Sequence, residues 1–86
     1  MASKSSHRQS IIQGVAYRVG KRAFEAQQPV DNYTLNAMIE EYCRNTQYWG
    51  YYLNLSDGAY KLLASAILKE SEAHTNRMIS LAQEEA

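Results

Sequence analysis

The sequence predicts an all-α fold, a small three-helix domain whose last helix is the longest, in a chain expected to be oligomeric. Three observations carry this. Apolar residues recur at the three- and four-residue spacing of a helix face in each third of the chain, and no stretch alternates for long as a strand would. Pro29, the single proline, falls between the first two periodic segments. From Leu55-Ser56-Asp57 onward a helical pattern runs almost to the terminus, with no glycine after Gly58.

The first helix is expected over residues 6–27. Ser6 and Gln9 have the spacing of a capping box, in which each side chain satisfies the other's free amide. Ile11, Ile12, Val15, Ala16, Val19 and Ala23 then share one face. Gly14 and Gly20 each weaken a helix by about 1 kcal/mol relative to Ala, or let another helix approach closely. Residues 1–5 read as a flexible tail, and 6–86 as a single helical domain.

The second helix is expected over residues 31–50. Asp31 caps it, and Val30 and Leu35 have the separation of a hydrophobic staple. Its apolar face is Leu35, Met38, Ile39, Tyr42, Cys43 and Trp49. Gly50 interrupts, and Tyr51-Tyr52-Leu53 either adds a turn or forms the connection.

The third helix, residues 56–83, repeats the start logic with a Ser56 cap and a Leu55–Tyr60 staple. Its stripe runs Tyr60, Leu63, Ala64, Ile67, Ser71, His74, Met78 and Leu81. About 28 residues make a rod about 42 Å long, against a diameter of about 31 Å for a compact chain of this size. The core is expected to hold Ile12, Val15, Val19, Leu35, Ile39, Tyr42, Trp49, Leu63 and Ile67. The distal stripe His74, Met78 and Leu81 is left for a second copy or another protein.

Composition narrows the function. Eighty-six residues, 45% of them hydrophobic, suit one modest core. Nine basic and nine acidic side chains cancel, so no global charge draws the chain to nucleic acid or an anionic membrane. No apolar run approaches the ~20 residues of a membrane span. Cys43 is alone, which excludes an internal disulfide and favours a reducing, cytoplasmic setting. The sequons Asn32-Tyr33-Thr34 and Asn54-Leu55-Ser56 sit where helix caps are wanted, and are read as caps.

No motif carries a reaction. His7, His74 and Cys43 are too few and too scattered for a zinc site, and no metal or other cofactor is expected. A Cys43–His74 nucleophilic pair can be drawn, but apolar neighbours raise a thiol pKa and no oxyanion-binding loop accompanies it. An enzyme is therefore not expected. His74, one turn after Glu70, is either a polar layer that fixes helix register or a pH-responsive site.

The aromatic run Tyr48-Trp49-Gly50-Tyr51-Tyr52 cannot all face one core, because neighbours on a helix point about 100° apart. Tyr48, Trp49, Tyr51 and Tyr52, together with His74, Met78 and Leu81, are the candidate partner-binding residues. The expected function is that of a small intracellular adaptor, chaperone-like subunit or inhibitor that docks on a protein, as a homodimer. The alternative is a nucleic-acid-binding regulator using Arg8, Arg18, Lys21 and Arg22 on the first helix.

Overall fold

The computed structural model describes residues 4–85, so residues 1–3 of the expected tail lie outside the described residues. Among the described residues there are four helices and no strand: α1 (Lys4–Ala26), α2 (Asn32–Arg44), α3 (Trp49–Leu53) and α4 (Asp57–Glu85). α1 already includes Lys4, so Ser6 lies within its first turn and the expected capping box is not its start. Its end is a local hydrogen-bonded turn as well as a proline effect. Gln27 takes the left-handed conformation (φ 57°). The Gln27 and Gln28 amides donate to Phe24 O (3.3 Å) and Ala23 O (3.2 Å), the paired bonds of a Schellman ending with glutamine where glycine is usual.

Asp31 caps α2 as its spacing suggested, accepting from the Thr34 amide at 2.7 Å. The helix stops at Arg44 and not near residue 50. The reason is side-chain competition for its last carbonyls: the Thr46 hydroxyl donates to Tyr42 O (2.9 Å), and the Thr46 amide turns to Cys43 O (3.3 Å), three residues back. The aromatic run then forms α3, a separate single turn closed by Asn54 Nδ2 donating to Gly50 O at 2.8 Å. The domain thus has three long helices and one short one. Tyr51-Tyr52-Leu53 belongs to the short one.

Ser56 caps α4 by accepting from the Ala59 amide at 3.1 Å. The 29 residues of α4 make a rod of about 43 Å, which matches the 45 Å long dimension of the molecule (45 × 28 × 22 Å). The compact-sphere expectation is therefore corrected. With a radius of gyration of 13.7 Å against about 12 Å for a compact chain, the body is drawn out along the rod.

α1 lies beside α4 and runs in the same sense. Gly20 meets Ser71, His74 and Thr75, and one turn further on Phe24 and Gln27 share a groove with Asn76 and Ile79. A Cβ on Gly20 would sit 2.9 Å from both His74 Cβ and Ser71 O, too close for a real contact. The missing side chain also lets the Thr75 hydroxyl reach Gly20 O at 3.1 Å. Gly14 plays the same part toward α2: a Cβ there would lie 2.6 Å from Tyr42 Cζ.

The core collects Ile11, Ile12, Val15, Ala16 and Val19 from α1, Leu35, Ile39 and Cys43 from α2, and Leu63 and Ile67 from α4. Tyr42 and Trp49, expected inside, are only half-buried. Early termination of α2 carries Trp49 onto α3, at the rim, and Tyr42 lies over the Gly14 gap. Replacing Gly20 by Ala should lower stability by about 1–2 kcal/mol in urea unfolding, overpacking outweighing helix propensity. Gly58→Ala, which meets open space, should raise it by up to about 1 kcal/mol.

Candidate functional site

Two ends of the molecule compete for a functional role, and they are built differently. At the α3 end the aromatic side chains pack on one another. Trp49 and Tyr52 stack at 5.2 Å between centroids, and Tyr52 meets Tyr60 edge-on at 6.1 Å. His7 lies 5.6 Å from Tyr48 and 6.0 Å from Tyr51. Arg44 covers Trp49 at 5.0 Å while also pairing with Glu40 at 2.7 Å. Tyr60 donates its hydroxyl to Asn36 Oδ1. Tyr48, Trp49, Tyr51 and Tyr52 are therefore half-buried against the chain's own core, each ring already in contact with another.

At the opposite end α4 overhangs. The C-terminal part of α1, the loop of residues 27–30 and the distal half of α4 border a groove of about 750 Å³. Its walls are largely apolar, with Val19, Phe24, Pro29, Val30, Leu68 and Ile79, and its rim carries Glu25, Glu72 and the amides of Gln27, Gln28 and Asn76. The Ser71 hydroxyl donates to Leu68 O (2.7 Å) and that of Thr75 to Gly20 O and Ser71 O. Both hydroxyls in the wall are thus committed to the chain's own backbone. Ile79 is 42% exposed and Leu81 53%, whereas Met78 is half-buried.

His74 does not join the open part of this surface. It sits at the α1–α4 contact, its Cβ facing Gly20 and its ring edge-on to Tyr17 at 6.0 Å. Its Nε2 is buried and has no hydrogen-bond partner among the described residues. Of the seven expected partner-binding residues, the structure groups four at the α3 end and three along distal α4; it does not bring the two groups together.

The basic residues of α1 are partly engaged. Arg18 donates to Gly14 O at 2.9 Å and lies over the Tyr42 ring at 5.1 Å. Arg22 is close enough to Asp31 to help lower its carboxyl pKa, after the larger effect of the Thr34 hydrogen bonds. Lys21 is exposed and Arg8 half-buried. No three His, Cys, Asp or Glu side chains among the described residues converge as a metal would require. No helix there is long and apolar enough to cross a membrane.

Phe24, Leu68 and Ile79 escaped the sequence reading because they lie off the main stripes of their helices. A second stripe was present in α4, Leu68, Thr75, Ile79 and Ala82, and its spacing would have flagged this face. No protein-family model, no curated protein and no solved structure matches the chain.

Cys43 is fully buried, and burial pushes its thiol from the ordinary 9.0 to about 11. The unfolded thiol therefore ionises first, so the contribution of this group to stability is fully present below pH 9.0 and is lost as pH rises toward 11. Tyr60, raised from 10.0 to about 12 by burial, adds to the loss only at higher pH. Urea titrations should show Cys43→Ala flattening the decline between about pH 9 and 10, before tyrosine ionisation sets in.

Proposed function

We propose that this chain acts without catalysing a reaction, by docking on a protein through the groove and the overhanging end of α4. The role is that of a cytoplasmic adaptor, chaperone-like subunit or inhibitor, working as a homo-oligomer. One observation carries the reading: a largely apolar groove of about 750 Å³ opens to solvent at its α4 wall, where Ile79 is 42% exposed. Apolar surface open in this way, rimmed by polar groups, suits a protein surface. The two hydroxyls in the wall, of Ser71 and Thr75, are already spent on backbone carbonyls, so the polar groups left to meet a partner are those of the rim.

The nucleic-acid alternative draws less support from the placement of its residues. Arg18 is turned onto Gly14 and Tyr42, and a stripe along α1 that loses it keeps only Lys21, Arg22 and Arg8. Capture from a native-host lysate with wild-type chain and with Ile79→Asp separates the two readings. Docking predicts a bound protein lost at least tenfold in Ile79→Asp and kept when Arg18, Lys21 and Arg22 are all reversed to Glu. Retention on DNA that weakens steeply with salt and vanishes in the charge-reversed chain would overturn it.

A further inference from the structure

We propose that the groove takes a helical segment of another protein, apolar along one face and flanked by lysine or arginine. This rests on the docking reading above and names the chemistry of its partner.

The rim points to basic flanks. Of the residues bordering the groove only Glu25 and Glu72 carry a charge, and both are acidic. They stand on opposite walls, Glu25 on α1 and Glu72 on α4. Each has cations three or four residues back along its own helix, Lys21 and Arg22 before Glu25 and Lys69 before Glu72. Neither carboxylate uses them: Arg44 with Glu40 is the one ion pair among the described residues. Arg22 lies close enough to act on Asp31. α1 also ends at this groove with no basic side chain in its last turn, which leaves the negative pole of the helix uncompensated. A cation brought by a partner thus meets two unpaired carboxylates and a helix C-terminus. At an exposed rim such charges select and steer a partner more than they hold it, and the apolar floor does the holding.

The walls decide the form of the segment. Apart from residues 27–30 the border is helix, where backbone groups bond within the helix. In the loop, the Gln27 and Gln28 amides already donate to Phe24 O and Ala23 O, and Pro29 has no amide to give. An extended segment would find no backbone edge to pair with. The occupant has to satisfy its own amides, as a helix lying in a groove does.

The packing leaves room for it. α2 covers the middle of the α1–α4 pair through Leu35, Ile39 and Cys43, and none of its residues borders the groove. From Leu68 to Ile79 the α4 wall measures about 16 Å, room for about eleven residues of a partner helix. That helix takes the third place beside α1 and α4, its apolar side chains at i, i+3 or i+4 and i+7 against Phe24, Val30, Leu68 and Ile79.

A display library of helical segments about fourteen residues long, selected on the full chain and counter-selected on Ile79→Ser, tests this. Selected segments should be apolar at that spacing, with lysine and arginine enriched over aspartate and glutamate at the flanking positions. In fluorescence anisotropy the best of them should bind about tenfold more weakly to Ile79→Ser, and about fivefold more weakly to the Glu25→Gln, Glu72→Gln double variant. The second loss should close near 1 M salt, where screening reaches to about 3 Å. Glu84→Gln with Glu85→Gln, outside the groove, should leave binding unchanged. Acidic or proline-rich segments among those selected, or an affinity unmoved by Glu25→Gln with Glu72→Gln, would overturn the inference; docking stands if Ile79→Ser still abolishes that binding. Twice the 9.8 kDa chain mass in sedimentation equilibrium, halved by Ile79→Ser, would give the groove to a second copy and overturn it too. A library that yields no segment would end this inference, and a lysate in which nothing bound depends on Ile79 would end the docking reading as well.

Discussion

With no side chain at Gly20, the α1 backbone comes close enough to α4 for the Thr75 hydroxyl to donate to the Gly20 carbonyl. That bond fixes how far along α4 the first helix sits. With Gly20 at the level of Ser71 and His74, Ile11, Ile12 and Val15 fall opposite Leu63 and Ile67, and the apolar faces of the two helices close on each other. The same setting brings α1 to its end near Ile79, so the last turns of α4 run on without it. One register decides both what is buried and what is left open.

The third layer is short. α2 has 13 residues, about 20 Å of helix, against about 43 Å for α4. It covers the middle of the pair, through Leu35, Ile39 and Cys43. The two ends of the molecule are then finished by different means. At one, α3 folds the aromatic run over the core and its rings pack on one another; at the other, the loop of residues 27–30 turns back, and a groove remains between it and α4. The ring-rich end packs its rings on one another and on the core, while the groove at the other end is lined by aliphatic side chains and Phe24.

Much of this was legible in the residues themselves. The caps at Asp31 and Ser56, the all-helical class, the length of α4 and the apolar faces of α1 and α4 follow from local rules that tertiary structure did not override. The close approach at Gly20 was readable as one of two meanings of a glycine within a helix. The break at Arg44 was not, because it depends on a threonine hydroxyl outbidding further helix for the carbonyl of Tyr42. Periodicity sees side-chain faces and is blind to that competition. The groove was hidden for another reason: it joins Phe24, Val30 and Ile79, three residues that no single helix pattern places together.

The pairing of α1 with α4 also sets the order of events in folding. Gly20 and Thr75, whose bond locks the pair, are 55 residues apart in the chain. Contacts of such separation close a large loop before they return any burial, and that slows the search. Left alone, α1 and α2 can cover only part of each other's apolar faces, so neither holds a finished core until α4 has been synthesised. A nascent chain cut short before Leu63 and Ile67 would carry the stripe of α1 bare, an invitation to chaperones and proteases that the finished molecule withdraws.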